Sequence, residues 1–487
     1  MGPGPVSAVG LDSAIVLTWS VPANNGSAIT GYKATLSPGG KTCATTTAVP
    51  CKITGLANRA TYTITVVASN ANGPGPAATA SVAPRAGNSF VPLVPSRVLD
   101  TKNRKGLAAA LAPYKAATFP VTNRAPGDPT RNVPAGATAV TGVLSVSGSG
   151  ALGYLALTPS PVDHPATSTL NFPKGDARAT GVTVPLSATG TRAVTYAATT
   201  GTAQAAFDVT GYFLAGTSGS TYVALTPNRI LDSRASYKNG MTSGLVAGTH
   251  KSFTVVGRSP TDLSANVPSS ALAVTGTLTV TGQTAPGYLS LGPEALDKPT
   301  TASLFFPKGD NRATGLTIKL APGGKLNVTF TSSTAGAKTE VIFDVNGYFL
   351  AGQSGAMYVP VTPNRILDTR KSKPLGQFKA IHPYTAATFA VTGRVPADVT
   401  QNVPTAAVAV TGILTVTGQT ALGYLALTKT PINKPSTSSL NFPKGDNRAT
   451  GVTVPLGTGG KLSVTYGASP STMTTNVIFD VSGYFVN

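Results

Sequence analysis

Three sequence markers recur in the same order along most of this 487-residue chain. Asp-Val-x-Gly-Tyr-Phe begins at Asp208, Asp344 and Asp480, at intervals of 136 residues. The other two markers keep nearly the same spacing: Arg-[Ile/Val]-Leu-Asp begins at Arg97, Arg229 and Arg365, and Phe-Pro-Lys-Gly-Asp begins at Phe172, Phe306 and Phe442. Such self-similarity indicates three copies of one structural unit. The period is too long for one turn of a solenoid and long enough for each copy to contain its own core.

The repeats have the pattern of β-strands. In the segment that ends the first copy, Phe207, Val209 and Phe213 fall on one face of an extended chain, and polar residues fall between them. The whole chain contains only two Glu, which excludes a helical bundle or coiled coil, and its 41% of hydrophobic residues exclude a disordered chain. No stretch of 18 apolar residues occurs that could span a membrane. The sequence therefore predicts an all-β fold of packed antiparallel sheets, with each copy a jelly-roll or Ig-like β-sandwich.

The markers divide the chain into four predicted domains, at 1–85, 86–217, 218–353 and 354–487. The copies meet at two nearly identical junctions, Ala215-Gly-Thr-Ser-Gly219 and Ala351-Gly-Gln-Ser-Gly355. A junction this short spans at most about 20 Å, so neighbouring copies must nearly touch. Similar junctions predict similar geometry at each step, and we expect an elongated rod.

Residues 1–85 read as strands separated by turns, and they include Pro5, Trp19, Tyr32, Leu56, Tyr62 and the tail Ala68-Ser-Asn-Ala-Asn-Gly-Pro-Gly. In these residues the segment resembles a fibronectin type III domain. The following copies resemble a repeat of secreted actinobacterial surface proteins, marked by Pro-x-Arg-[Ile/Val]-Leu-Asp and Asp-Val-x-Gly-Tyr-Phe. These resemblances imply a secreted or cell-surface location but supply no ligand and no activity.

The chain has two cysteines, Cys43 and Cys51. Two short strands on either side of a turn could bring them within disulfide distance, which fits an extracellular protein; the alternative is two reduced core thiols. The start Met-Gly-Pro-Gly-Pro has neither a basic segment nor an apolar one, so no signal peptide is expected here. We interpret Met1 as the start of a fragment or of a mature form, upstream of which a further domain could exist.

Each copy contains acidic and basic residues that we interpret as structural. Arg97 and Asp100 lie three apart on an extended segment, so they should point to opposite faces. We expect each such Arg to pair with a residue brought in by the fold, such as the Asp that opens the last marker. The predicted structural set is Arg97, Asp100 and Asp208 in the first copy, Arg229, Asp232 and Asp344 in the second, and Arg365, Asp368 and Asp480 in the third.

One loop is the candidate ligand site. The sequence Phe-Pro-Lys-Gly-Asp-Asn-Arg-Ala-Thr-Gly is identical in the second and third copies and differs only at Ala177 in the first. Its cations, with a basic residue that precedes a nearby proline, could hold a carboxylate, phosphate or sugar acid. The alternative is a turn stapled by its own Asp–Arg pair or docked on the next copy. The candidates are Lys174, Arg178 and His164; Lys308, Arg312 and Lys298; and Lys444, Arg448 and Lys434.

The formal net charge is +20, from 37 Lys and Arg against 17 Asp and Glu. The excess is spread along the chain without an Arg-rich arm or a nucleic-acid motif, so it favours loose attraction to anionic polymers over specific nucleic-acid binding, or serves solubility. Glu294 and Glu340 do not recur between copies, and His164, His250 and His382 lie at non-equivalent positions. A Glu-based glycosidase pair therefore cannot recur in the copies, although a pair of Asp stays open in principle. We expect no enzyme active site, no metal and no cofactor.

The leading hypothesis is non-catalytic extracellular attachment to a polysaccharide or an anionic cell-wall polymer. One alternative is a structural role with copies of itself as partner: a stalk, surface-layer, filament or virion-fibre subunit. Another is the accessory region of a secreted hydrolase whose catalytic domain lies outside this sequence.

Overall fold

The computed structural model describes residues 2–48, 50–259, 261–352, 354–370, 375–376, 379–394, 398 and 400–487. Every regular element in these ranges is a β-strand, which confirms the predicted all-β class. No helix that is long and apolar enough to cross a membrane is found there. The chain forms two compact units: one runs to Ser89 and includes Leu214–Ser220, and the other contains Phe90–Phe213 and Thr221–Asn487.

The first unit is a sandwich of two antiparallel sheets. Its strands are β1 (Ser7–Leu11), β2 (Ala14–Thr18), β3 (Ile29–Ser37), β4 (Thr42–Thr45), β5 (Cys51–Thr54), β6 (Tyr62–Asn70), β7 (Gly73–Pro74) and β8 (Ala78–Val82). One sheet has the order β1-β2-β5, and the other has the order β4-β3-β6-β7 with β8 also paired to β6. Trp19 and Tyr32 are buried between the sheets with ring centroids 5.5 Å apart. A disulfide joins Cys43 on β4 to Cys51 on β5, and thus links the two sheets.

The second unit contains the three repeats, which we number in chain order. The first repeat has β9 (Asn88–Asp100), β10 (Ala117–Pro120), β11 (Ala137–Ser147), β12 (Gly153–Thr158), β13 (Leu170–Phe172), β14 (Arg178–Pro185), β15 (Thr191–Ala197) and β16 (Gln204–Ala215). The second has β17 (Ser220–Asp232), β18 (Leu245–Val246), β19 (His250–Thr254), β20 (Ala271–Thr281), β21 (Gly287–Gly292), β22 (Leu304–Phe306), β23 (Arg312–Lys319), β24 (Lys325–Thr331) and β25 (Lys338–Ala351). The third has β26 (Met357–Asp368), β27 (Ala387–Ala390), β28 (Ala407–Thr417), β29 (Gly423–Thr428), β30 (Leu440–Phe442), β31 (Arg448–Pro455), β32 (Lys461–Ala468) and β33 (Asn476–Val486).

Each repeat is a jelly roll. In the first repeat one sheet has the order β9-β16-β11-β14 and the other has the order β10-β15-β12-β13. If the eight strands are numbered one to eight, these orders are 1-8-3-6 and 2-7-4-5, the double Greek key of that fold. The other two repeats have the same order, and the second adds the short β18 beside β25. The sequence predicted either a jelly-roll or an Ig-like sandwich, and the strand order identifies the jelly roll.

The repeats do not follow one another along a rod, so that expectation is wrong for this unit. Their first strands, β17, β9 and β26, lie side by side and join one sheet of each repeat into a single 13-stranded sheet. Around them, aromatic side chains of all three repeats form one buried cluster, in which the Phe213 and Tyr358 rings are 4.3 Å apart and the Tyr222 and Phe485 rings are 4.4 Å apart. The three repeats thus surround a common pseudo-threefold axis.

At one position in their cores, the repeats differ between a charged and an apolar side chain. Arg192 on β15 is fully buried, while the same position holds Leu326 and Leu462 in the other repeats. Its Nη1 donates to the Pro185 carbonyl, but Nε and Nη2 have no hydrogen-bond partner within the described chain. Burial lowers the pKa of this guanidinium to about 9. A buried, partly unpaired cation costs more than an apolar residue of similar shape.

We therefore expect Arg192→Leu to raise the free energy of unfolding of the repeat unit by about 1–3 kcal/mol. Chemical denaturation followed by circular dichroism measures this change. The matched control is Leu326→Arg, which places the same group at the equivalent position and should destabilise the unit. A destabilised Arg192→Leu variant would show that the guanidinium contributes to folding.

Candidate functional site

The predicted ligand loop forms a closed ring of ion pairs on the pseudo-threefold axis, which we call the axial ring. Its members are Asp176, Arg178, Asp310, Arg312, Asp446 and Arg448. Each arginine opens the sixth strand of its repeat, and its Nε contacts the aspartate two residues earlier, at 2.7–2.9 Å. Each Nη2 contacts the aspartate of a neighbouring repeat, at 2.5–2.7 Å. Because the third repeat also pairs with the first, the ring has no free end.

The remaining guanidinium nitrogen strengthens the same contact. Arg178 Nη1 donates to the carbonyl of Asn171 in its own repeat and to that of Asn447 in the third repeat, at 2.9 and 3.0 Å. The equivalent nitrogens of Arg312 and Arg448 also donate to one carbonyl of their own repeat and one of a neighbour. The arginine side chains are only 5–6% exposed, so these bonds compensate for the lost hydration of the charges.

Three residues after each ring arginine, a glycine lets the backbones of neighbouring repeats come into close contact. The amide of Gly181 donates to Thr314 Oγ1, that of Gly315 to Thr450 Oγ1 and that of Gly451 to Thr180 Oγ1, at 2.9–3.3 Å. A Cβ added at any of these glycines would overlap the backbone carbonyl of the neighbouring glycine. Asp176, Arg178, Thr180 and Gly181 of the repeated loop, and their equivalents in the other repeats, thus all contact a neighbouring repeat.

This geometry separates the predicted ligand residues into two groups. Arg178, Arg312 and Arg448 are buried in the axial ring and are not accessible to a ligand. The six other candidates are exposed: Lys174, Lys308 and Lys444 on the loop, and His164, Lys298 and Lys434 beside it. The His164 ring stacks on Tyr114 with centroids 4.6 Å apart, and Lys434 Nζ lies 6.0 Å from the Tyr384 ring centroid.

The axial ring determines where the loop lysines lie. Lys174, Lys308 and Lys444 each precede a ring aspartate by two residues, so each Cα lies within about 7 Å of that aspartate's Cα. The three lysines therefore surround the same end of the axis, and we call them the lysine rim. Their ammonium groups form no hydrogen bond or ion pair within the described ranges. Three aspartates neutralise three arginines in the ring, and the rim adds three uncompensated positive charges.

The structure contains the predicted pairs between the first and last strands of each repeat. Arg97 Nε and Nη2 lie 2.8 and 2.9 Å from the two carboxylate oxygens of Asp208, and the equivalent pairs are Arg229–Asp344 and Arg365–Asp480. Burial disfavours the charged form of Arg97, but the bonds and charges of Asp208 and Asp100 outweigh it and raise the pKa. These bonds attach the first strand of each repeat to its last.

One detail of that prediction is wrong. Arg97 and Asp100 were expected on opposite faces, yet Arg97 Nη1 lies 3.0 Å from Asp100 Oδ2. Asp232 and Asp368 contact their own arginines in the same way, at 3.4 Å. In the third repeat the pairing of β26 with β33 shifts register between Arg365 and Leu367. A bulge of this kind interrupts the alternation of faces that the prediction assumed.

Burial and ion pairing act in opposite directions on the charges of the axial ring: burial lowers the pKa of Arg448 despite its aspartate partners. Burial opposes ionisation of Asp446, but the hydrogen bonds and charges of Arg178 and Arg448 outweigh it, and the pKa of that carboxyl is lowered. Outside the ring, hydrogen bonds from Asn103, Arg234 and Arg370 lower the pKa values of Asp100, Asp232 and Asp368, respectively, against the effect of burial. Within the described ranges, no three His, Cys, Asp or Glu side chains form a group that could hold a metal ion.

Residues 3–83 match the fibronectin type III domain family. The match confirms the resemblance stated for the N-terminal segment, while the resemblance of the repeats to actinobacterial proteins stays a prediction. No curated protein matches the chain in sequence.

Several solved structures are similar at low identity. The FN1–FN3 domains of chicken CNTN1 are 11% identical, with 68% of this chain and 99% of that chain covered and a TM-score of 0.16. A triple jelly roll protein of an archaeal virus turret is 9% identical, over 82% and 91% of the two chains, with a TM-score of 0.15. Bacteroides ovatus SGBP-B, in complex with a mixed-linkage heptasaccharide, is 10% identical over 100% and 95%, with a TM-score of 0.14. Scores this low carry no argument about function.

The glycine contacts at the axis yield a stability prediction. In Gly315→Ala the new Cβ would overlap the Gly451 carbonyl, so the second and third repeats must separate locally. We expect the free energy of unfolding to fall by about 1–3 kcal/mol, measured by chemical denaturation. Gly127→Ala is the control, because a Cβ there meets nothing within 4 Å. Equal stability of the two variants would contradict the close packing at the axis.

The lowered pKa of Asp446 yields a pH prediction. Because its pKa is lower in the folded than in the unfolded chain, its stabilising contribution is complete above about pH 4 and is lost as the pH falls below that value. Asp446→Asn should therefore cost about 3 kcal/mol at pH 7 and progressively less as the pH falls below about 4. Denaturation series on both proteins measure the difference. A difference independent of pH would exclude an ionised Asp446 in the ring.

Proposed function

We propose that this chain is a non-catalytic extracellular attachment region that binds an anionic polymer, with the lysine rim as its contact surface. The observation that carries the proposal is the position of the rim: the axial ring holds three exposed lysines at one end of the axis and contributes no net charge of its own. A cell-wall polymer or acidic polysaccharide presents many anionic groups along one molecule. Three neighbouring cations can engage several of these groups at once, which raises affinity beyond that of a single pair.

The repeats themselves support this assignment. Lysine occupies the rim position in all three repeats although its side chain is exposed and has no partner within the described chain. Three residues further on, the position holds Ala177, Asn311 and Asn447, so the loop does vary where the ring does not need a fixed residue. Three exposed lysines without a partner in the described chain, gathered at one end of an axis, are the arrangement that binding to an anionic ligand requires.

The net charge of +20 supports the same ligand class. A positive surface concentrates polyanions around the protein and speeds their association, and this long-range attraction weakens as salt is added. The fibronectin type III domain and the disulfide agree with an extracellular location, where such polymers occur. The buried arginines of the loop have a structural part in this proposal, because they position the lysines.

The arrangement of the repeats disfavours one alternative, a filament built through the repeated loop. A head-to-tail contact that closes into a ring leaves no unoccupied contact surface for another copy. Here the loop of each repeat pairs with a neighbour in the same chain, including the third with the first.

The test is a triple variant of the lysine rim, Lys174→Ala with Lys308→Ala and Lys444→Ala. Binding to immobilised wall teichoic acid and to polygalacturonate is measured by biolayer interferometry at 50 and 300 mM salt, with dextran as the neutral polymer. We expect the triple variant to bind at least about tenfold more weakly at low salt and to show a smaller salt dependence.

The control changes the same number of exposed lysines elsewhere, one in each repeat: Lys115→Ala, Lys325→Ala and Lys461→Ala. Both triple variants have the same net charge, so a purely diffuse attraction would weaken equally in the two. Equal loss in both variants, or unchanged binding in the rim variant, would refute the lysine rim as the contact surface. Thermal denaturation of each variant establishes that the fold is retained.

A further inference from the structure

Beyond the lysine rim, the second and third repeats enclose a cleft of about 250 Å³. It lies where the segment that connects β29 to β30 in the third repeat packs against the second repeat. Thr226 and Pro227 of the second repeat form one wall, and Lys429, Lys434 and Ser436 of the third repeat lie in the other. We call this space the 2/3 cleft.

The floor of the 2/3 cleft combines polar and apolar groups. Asn346 is held there by two hydrogen bonds: Thr275 Oγ1 donates to its Oδ1 at 2.7 Å, and its Nδ2 donates to the Thr453 carbonyl at 2.6 Å. Leu316 and Val452 supply apolar surface beside it, and threonine hydroxyls line the walls. A preformed concave site with apolar walls and a few fixed polar groups is the usual form of a small-molecule site.

The mouth of the cleft is basic. Lys429 and Lys434 are exposed. The Lys429 side chain crosses the cleft, and its Nζ donates to Thr226 Oγ1 at 3.3 Å. Lys434 is the candidate residue that the sequence placed beside the ligand loop. No carboxylate lines the cleft within the described chain. An anionic group at the mouth therefore finds two ammonium donors and no like charge.

The equivalent cleft between the first and second repeats is smaller. There Arg131 Nη2 lies 2.7 Å from both carboxylate oxygens of Glu294, and the space is only about 80 Å³. The positions of Lys429 and Thr430 are taken by Pro293 and Glu294 in the second repeat. Equivalent segments contribute to the two clefts, but an ion pair crosses the smaller one, whereas two lysines and no carboxylate line the larger one within the described chain.

We propose that the 2/3 cleft binds a single acidic sugar unit, such as a uronic acid at the end of a short saccharide. The volume equals that of about eight water molecules, which suits one sugar ring and not a long oligosaccharide. Hydroxyl groups of a sugar pair with threonine and asparagine groups, its C–H faces contact the leucine and valine surface, and its carboxylate pairs with the lysines. This site is separate from the lysine rim and requires none of its residues.

The test uses digalacturonate as the probe and maltose as its neutral counterpart, with binding measured by isothermal titration calorimetry on the full chain. We expect digalacturonate to bind at one site, and maltose to bind at least tenfold more weakly. The double variant Lys429→Ala with Lys434→Ala should weaken digalacturonate binding about tenfold or more. The matched control, Pro293→Ala with Lys298→Ala at the equivalent positions of the smaller cleft, should change the affinity for digalacturonate less than twofold.

Two outcomes would overturn the proposal: wild-type protein that does not bind digalacturonate, or a Lys429 and Lys434 double variant that binds it unchanged. The rim variant, Lys174→Ala with Lys308→Ala and Lys444→Ala, distinguishes this site from the attachment surface. It should keep its digalacturonate affinity, and a loss there would assign the sugar to the rim and refute the cleft. Thermal denaturation of every variant shows whether the fold is intact.

Discussion

The closed exchange of ion pairs at the pseudo-threefold axis is the interaction on which the repeat unit depends. Each arginine serves two aspartates and each aspartate serves two arginines, so six charges are compensated although the arginines are almost fully buried. A buried charge with one missing partner would cost several kcal/mol, and only a complete ring avoids that cost. The close approach of Gly181, Gly315 and Gly451 adds a steric condition at the same place. The lysine rim and the clefts between repeats exist because this contact fixes how the repeats meet.

Closing the ring within one chain has a consequence that a trimer of identical chains lacks. In a symmetric trimer a substitution appears at all three interfaces, whereas here each interface can change alone. Arg192 occupies a core position that holds leucine in the other repeats, and the Arg131–Glu294 pair crosses a cleft of about 80 Å³ whereas the 2/3 cleft measures about 250 Å³. The shared ring keeps the architecture, and the individual repeats are free to acquire different surfaces.

The strands could be predicted because apolar and polar residues alternate along a half-buried strand, as they do around Phe207, Val209 and Phe213. The arrangement of the repeats around an axis could not be predicted. Short equal junctions are compatible with a linear array and with a closed ring, and the rotation between copies, which decides between them, is not written in the junctions. The partner of Arg178 across the interface, Asp446, lies 268 residues away. The near-identity of the loop in all three repeats was the available signal: it marked a shared constraint, but its ion pairs were as consistent with a local staple as with the ring.

The ring also explains why the sequence alone could not distinguish the exposed lysines of the loop from its buried arginines. Lysine and arginine occur four residues apart in the same loop, and both suit an anionic ligand. The planar guanidinium can bridge two carboxylates and still donate to carbonyl groups, so it is the side chain suited to the buried position. The flexible, strongly hydrated ammonium of lysine gains little from burial and remains at the surface. One short segment thus holds the repeats together through Arg178 and presents a charge to solvent through Lys174, and the other two repeats divide the tasks in the same way.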